Sequence, residues 1–131
     1  MELITSLTNA KVKMALSLQQ KKYRDKYQLF ILEGIRNAEM VIAKNISVQM
    51  CFFTQKAFTN ERGKSILEQL KCPCFEVPEH IYQKISDTQS PQGLMLILPI
   101  QNHNLDDLAT INKSGLYLIL DRLQDPGNIG T

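Results

Sequence analysis

The sequence predicts an α/β sandwich with a largely parallel sheet, followed by the start of a second α/β unit. From about residue 10 to residue 99, apolar segments of strand length alternate with segments whose apolar residues recur at helical spacing. A polar stretch without a sustained period covers residues 101–114, and a wholly apolar segment, 116–120, follows it. Continuous apolar strands are typical of strands buried on both faces, so this segment indicates a separate sheet.

The first predicted elements are a helix, a strand and a second helix. Asn9 is a favourable N-cap residue for a helix that begins near Ala10. The polar segment 21–28 is expected to end that helix in a turn. Residues 29–32 are predicted to form a buried strand, and residues 34–44 a helix with one apolar face.

Three further strands and two helices complete the first unit. The strands are predicted at residues 48–54, 74–77 and 93–99, and the helices at residues 60–70 and 78–86. The first domain is therefore expected to span residues 1–99, with a linker over 100–115 and a second unit over 116–131. A fully buried strand needs neighbours on both edges, so we expect the sequence to stop inside that second unit.

Bulk composition excludes several classes of protein. Hydrophobic residues make up 44% and charged residues 21% of the 131 residues, as in ordinary globular proteins. No apolar run approaches the roughly 18 residues of a membrane span, and no secretory signal is visible, so a cytoplasmic protein is expected. Cys72-Pro73-Cys74 has no further ligands at suitable spacing, which argues against a metal site.

The net charge of +2 hides an uneven distribution along the chain. Residues 1–36 carry seven basic and three acidic side chains, whereas the remaining residues carry eight basic and ten acidic side chains. A basic first quarter favours a polyanionic partner.

The second unit begins with a motif of high specificity. The apolar segment 116–120 leads into Asp121-Arg122-Leu123-Gln124 and then Asp125-Pro126-Gly127-Asn128-Ile129-Gly130. This ungapped run resembles the first motif of the SpoU (TrmH-like) RNA ribose 2′-O-methyltransferases of the SPOUT superfamily.

The front of the chain resembles the N-terminal RNA-substrate-binding domain of the same family. The resemblance covers Ile4-Thr5-Ser6 and Asn9, Lys21-Lys22-Tyr23-Arg24, the run from Leu29 to Gly34, and Ser90-Pro91-Gln92-Gly93. It implies a small three-layer sandwich of the ribosomal-protein-like RNA-binding type.

The resemblance also implies an activity that needs more than these 131 residues. The family joins this small domain to a trefoil-knotted α/β domain that binds S-adenosylmethionine and dimerises. The arginine of the first motif would be expected three residues after Thr131, and the cofactor-binding motifs later still. By this resemblance the parent protein methylates ribosomal or transfer RNA as a homodimer, away from membranes, while the present chain alone neither binds the cofactor nor methylates.

Asn128 and Gly130 are the candidate catalytic residues, on the strength of that resemblance. A loop after a buried parallel strand is where α/β sheets place ligands. The Asn128 amide can donate and accept hydrogen bonds at once, and Gly130 allows close backbone approach. The alternative interpretation is that both residues only close a turn.

The candidate RNA-binding residues fall into two groups. At the predicted start of the second helix, free backbone N–H groups can bind a phosphate. Basic residues nearer the N-terminus can contact further phosphates, and Gln92 can contact a base edge or a 2′-hydroxyl. The full set is Lys11, Lys13, Lys21, Lys22, Arg24, Gly34, Arg36, Asn37 and Gln92. Tyr23 and Tyr27 either stack on bases or pack in the core.

Two other functions are compatible with parts of the sequence. A stand-alone RNA-binding module of ribosomal type is one, although it would have no use for the apolar segment 116–120 and its motif loop. A small nucleotide-binding α/β protein is the other, but Glu33-Gly34 supplies only one glycine where a phosphate-binding loop needs several.

Overall fold

The computed structural model describes residues 1–102 together with Leu116, Leu118 and Asp121. The chain divides into two compact units, residues 1–100 and 101–131. Leu116 and Leu118 are exposed. The rest of the predicted strand 116–120 and the motif loop with Asn128 and Gly130 lie outside the described residues. Within the described part of the chain, no helix is long and apolar enough to cross a membrane.

Residues 1–100 form five strands and six helices. In chain order they are β1 (Glu2–Leu3), α1 (Ala10–Ser17), α2 (Lys21–Tyr27), β2 (Leu29–Glu33), α3 (Ile35–Ala43), β3 (Met50–Phe53), α4 (Gln55–Thr59), α5 (Glu61–Gln69), β4 (Cys74–Glu76), α6 (Glu79–Ile85) and β5 (Leu94–Pro99). Asn9 caps α1 as predicted, because its side chain accepts a hydrogen bond from the Lys11 N–H at 2.9 Å. Asn60 caps α5 in the same way.

The sheet is mixed rather than largely parallel, so the predicted strand direction is wrong for β5. The strand order is β1-β4-β3-β5-β2. Strand β4 runs parallel to β1 and β3, whereas β5 runs antiparallel to both β3 and β2. Strands β3 and β5 are almost wholly buried, and burial on both faces gives the same continuous apolar run in either direction.

Two helices and one strand were missed by the apolar pattern. Residues 21–27 form α2 rather than the predicted turn, and residues 55–59 form α4. Helix α2 has no buried residue and α4 has only five residues, so neither leaves an apolar stripe of useful length. Strand β1 has two residues, both exposed.

Helices cover both faces of the sheet, which confirms the three-layer sandwich. Helices α1 and α6 pack on one face around Phe52, Tyr82 and Ile97. Helices α3, α4 and α5 pack on the other face around Phe53 and Leu96. The alternation of inward-facing residues along β3 and β5 supplies both cores from the same strands.

Candidate nucleic-acid interface

Three loops meet at one end of the sheet because β5 is antiparallel to its two neighbours. The Gly34 N–H, just after β2, donates to the Leu94 carbonyl at 2.9 Å. The Thr54 N–H, just after β3, donates to the Gly93 carbonyl at 2.9 Å. The β2–α3 turn, the β3–α4 turn and the loop between α6 and β5 are thereby held side by side.

Gly34 and Gln92 shape the start of α3. Gly34 has φ of +105°, a conformation that side-chain-bearing residues rarely adopt. The Oε1 atom of Gln92 accepts a hydrogen bond from the Ile35 N–H at 2.8 Å, so Gln92 serves as a cap supplied from 57 residues away. This bond orients the Gln92 amide group toward the helix start and uses its Oε1 atom. The contact of Gln92 with RNA stays a prediction, and the amide Nε2–H₂ group is the donor available for it.

A shallow cleft of about 330 Å³ opens at this helix start. Its lining consists of Glu33, Gly34, Arg36, Asn37, Thr88, Ser90 and Gln92. Arg36 and Asn37 are exposed, and their backbone N–H groups lie in the first turn of α3, where no intrahelical acceptor exists. The helix start with Arg36 beside it therefore has the donors and the positive charge that a phosphate needs.

The Glu33 carboxylate organises the loop that borders this cleft, a role that no local sequence pattern indicates. It accepts hydrogen bonds from the hydroxyls of Ser86 at 2.8 Å and 2.9 Å, Thr88 at 3.1 Å and Tyr82 at 3.2 Å. Burial, with the nearby Glu33 charge as a second cause, raises the pKa of Tyr82 well above its usual range. The backbone carbonyl of Glu33 also accepts from Asn37 Nδ2 at 2.7 Å.

Lys56 is a second contributor that the sequence reading missed. It lies exposed in α4, and its ammonium group donates to the Pro91 carbonyl at 3.4 Å. Lys56 therefore adds a positive charge next to the loop that carries Gln92. Thr54 immediately before α4 is a common N-cap residue type, and it was the available signal for this helix.

The predicted basic residues of the N-terminal segment do not form one strip. Lys11 pairs with Glu2 at 3.1 Å and lies 4.3 Å from the Phe75 ring centroid, near the β1–β4 edge. Arg24 turns toward the protein, because its Nη1 donates to the carbonyls of Leu18 at 2.9 Å and Gln19 at 2.8 Å.

Three of the predicted basic residues on α1 and α2 lie exposed. They are Lys13 on α1 and Lys21 and Lys22 on α2. The structure also separates α2 from the cleft. Helix α2 precedes β2 and the cleft follows it, so five residues of strand, or roughly 17 Å, lie between them. Any RNA that contacts both must extend along that edge of the sheet.

The cysteines lie away from this interface and near one another. Cys51 is buried in β3 opposite Cys74 of β4, and Cys72 and Cys74 are half-buried. Among residues 1–102, no group of three or more His, Cys, Asp or Glu side chains could hold a metal ion.

Comparison with known proteins gives a family match over most of the chain. Residues 9–96 match the MRM3-like substrate binding domain. The mitochondrial rRNA methyltransferase 3 of Xenopus laevis is 31% identical over 116 residues, which are 86% of this chain and 27% of that protein. The 23S rRNA (guanosine(2553)-2′-O)-methyltransferase RlmP of Bacillus subtilis is 30% identical over 131 residues, which are 100% of this chain and 48% of that protein.

A solved structure shares the fold. The AdoMet-bound rRNA methyltransferase from Sinorhizobium meliloti superposes with a TM-score of 0.66 at 24% identity, covering 81% of this chain and 39% of that one. The present chain thus spans less than half the length of each of these proteins.

Proposed function

Because this chain belongs to the family of MRM3-like substrate binding domains, we propose that it binds ribosomal RNA on behalf of a 2′-O-ribose methyltransferase. Its part in that reaction is to hold the RNA by its phosphates so that one ribose hydroxyl reaches the catalytic groups. Positioning of this kind turns an encounter in solution into a reaction within a complex, which is a large part of catalysis for such transfers.

The observation that carries the proposal is the cleft at the start of α3. Gly34, Arg36 and Asn37 line this opening at the start of α3, and Lys56 contacts Pro91 in the loop that carries Gln92. Gln92 and the Glu33 hydrogen bonds fix the loop on the other side of the opening. A preformed set of donors of this kind binds an anionic backbone without a large ordering cost.

The methyl donor and the oligomeric state belong to the proposal for the whole protein. S-adenosylmethionine supplies the methyl group there, in line with the AdoMet-bound relative. No residue among 1–102 is assigned to that cofactor, and the catalytic roles of Asn128 and Gly130 stay predictions. We expect the parent protein to act in the cytoplasm as a homodimer that associates outside the substrate-binding domain.

Two measurements test the two parts of this proposal. RNA binding by the chain is measured by fluorescence anisotropy with ribosomal RNA fragments over a salt series, and affinity should fall steeply as salt rises. Methyl transfer is tested by deleting the coding region in the source organism and mapping 2′-O-methyl marks in its ribosomal RNA.

We expect the deletion to remove one 2′-O-methyl mark from ribosomal RNA. An unchanged set of marks would overturn the methyltransferase assignment, and a mark lost from transfer RNA would overturn the choice of substrate. Absence of salt-dependent RNA binding by the chain would overturn the role of the cleft.

A further inference from the structure

Helix α2 presents an aromatic pair that the core does not use. No residue of α2 is buried, although the helix carries two tyrosines. Tyr23 and Tyr27 lie one turn apart, with nearly parallel rings at an interplanar angle of 14° and a centroid separation of 6.1 Å. Tyr27 is 41% exposed. Tyr23 is half-buried and neither ring belongs to a core cluster, so core packing does not account for the exposed Tyr27.

Each tyrosine ring has a lysine ammonium group against it. Lys22 Nζ lies 4.9 Å from the Tyr23 centroid, and Lys26 Nζ lies 5.4 Å from the Tyr27 centroid. Neither lysine forms an ion pair with an acidic side chain within residues 1–102. The face thus combines two aromatic rings with two cations that carboxylates do not neutralise.

The helix is held firmly enough to serve as a binding surface. Arg24, between the two tyrosines in sequence, donates through its Nη1 to the carbonyls of Leu18 and Gln19, the two residues that follow α1. Gln28 ends α2 with φ of +54°, and the chain then enters β2 directly. Helix α2 is therefore held to the end of α1 by Arg24 and to the sheet by its direct connection to β2.

We propose that Tyr23 and Tyr27 form a stacking platform for unpaired bases of the RNA, with Lys22 and Lys26 contacting the adjoining phosphates. The inference rests on the proposed RNA-binding function and specifies its substrate as a single-stranded segment at α2, roughly 17 Å along the sheet edge from the cleft. Paired bases keep their faces inside the helix stack, so only an unpaired segment offers a face to tyrosine.

The energies favour exchange of a lysine for a base. A cation over an exposed ring contributes a factor of about 2–5 to an equilibrium constant. A base stacked on an aromatic side chain contributes a factor of about 5 or more. A base can therefore take the place of the ammonium group on a ring, and the displaced lysine gains a phosphate partner in return.

The experiment compares two double variants of the 131-residue chain. Tyr23→Leu with Tyr27→Leu keeps apolar bulk and removes the aromatic faces, whereas Tyr23→Phe with Tyr27→Phe keeps the faces. Binding to a fluorescent single-stranded RNA and to a duplex of equal phosphate number is measured at one salt concentration. We expect the leucine variant to bind the single strand at least about fivefold more weakly, since a loss of ~1 kcal/mol already gives that factor. The phenylalanine variant should stay within about twofold of wild type.

The controls separate this inference from the proposed function. Duplex binding should be equal in all three proteins, and circular dichroism should show equal folding. If the leucine pair unfolds the chain, the single change of the more exposed Tyr27 to Leu carries the same comparison. Salt-dependent RNA binding with no difference between leucine and phenylalanine variants would overturn the platform and leave the proposed function standing. No binding of either RNA by wild type would overturn the proposed function itself.

Discussion

The phenolic hydroxyl of Tyr82 donates a 3.2 Å hydrogen bond to the carboxylate of Glu33, which links α6 to the end of β2. Ser86 and Thr88 donate to the same carboxylate, so the first residues of the loop after α6 are tied to the strand that precedes Gly34. The loop therefore borders the cleft in a fixed position. This arrangement makes Glu33 a positioning residue for the interface rather than a ligand for RNA.

Replacing Glu33 by Gln should loosen the loop and lower stability. The Gln amide keeps one acceptor oxygen. Its N–H₂ group is a donor and would face hydroxyl groups that, in the wild-type protein, donate to the carboxylate. We expect the free energy of unfolding to fall by about 1–3 kcal/mol, with faster amide hydrogen exchange over residues 86–92. The matched control is Glu68→Gln on the exposed face of α5. Equal urea midpoints and equal exchange for both variants would contradict this role of Glu33.

The raised pKa of Tyr82 should make stability depend on pH in the alkaline range. Burial disfavours the phenolate in the folded state, whereas the unfolded chain ionises this tyrosine near pH ~10. Above that pH the unfolded state binds fewer protons than the folded state, so the free energy of unfolding falls as pH rises. The fall should approach ~1.4 kcal/mol per pH unit for one such group. The contribution of protonated Tyr82 to the free energy of unfolding is complete below about pH 10 and is lost as the pH rises above that value.

Tyr82→Phe isolates this contribution in urea titrations between pH 8 and pH ~11. The variant should lose the Glu33 bond at neutral pH yet show a shallower alkaline decline than wild type. Tyr27→Phe, on the exposed α2, should keep the wild-type slope. Parallel curves for Tyr82→Phe and wild type would show that Tyr82 does not govern the alkaline decline.

Elements that bury an apolar stripe were predictable, and elements that do not were missed. Helices α3 and α5 and strands β3 and β5 all place apolar residues at the spacing of their type. Helix α2 buries no residue fully, so its composition indicates a polar turn equally well. The predicted direction of β5 was wrong because a strand buried on both faces has the same apolar pattern whichever way it runs.

The candidate site was predictable by residue but not by arrangement. Gly34, Arg36 and Gln92 were named from a strand–helix junction and a short motif, and the structure brings them to one cleft. The Glu33 hydrogen bonds and Lys56 depend on contacts between residues 35 or more positions apart. Such contacts arise from the antiparallel entry of β5, which local patterns do not encode.

Gly93 should tolerate alanine worse than Gly34 does. Both have positive φ, which costs an alanine about 1–3 kcal/mol. At Gly93 an added Cβ would also lie 2.3 Å from Thr54 Oγ1, whereas at Gly34 the nearest atom would be Gln92 Oε1 at 3.3 Å. We expect Gly93→Ala to lower the free energy of unfolding by a further ~1–3 kcal/mol for this overlap.

A double-mutant cycle with Thr54→Ala tests that cause. Thr54 Oγ1 is buried and, among the described residues, has no hydrogen-bond partner, so its removal forfeits no bond. With the hydroxyl gone, the nearest Thr54 atom to the new methyl group is Cβ at 3.4 Å, an ordinary contact. In urea unfolding, the double variant should regain the free energy of unfolding that Gly93→Ala loses to the overlap, but not the part that it loses to positive φ. Strict additivity of the two changes would contradict the overlap.

Because Arg36 lines the cleft, we expect its side chain to contribute directly to RNA affinity. Arg36→Ala removes a cation at the cleft without touching the core, so RNA binding should weaken while the unfolding midpoint stays unchanged. The slope of log affinity against log salt should become shallower by about 0.7–0.9 for one lost phosphate contact. Lys44→Ala is the matched control, because Lys44 is also exposed but lies at the other end of α3, roughly 12 Å away. If both variants reduce the salt slope equally, general surface charge rather than the cleft holds the RNA.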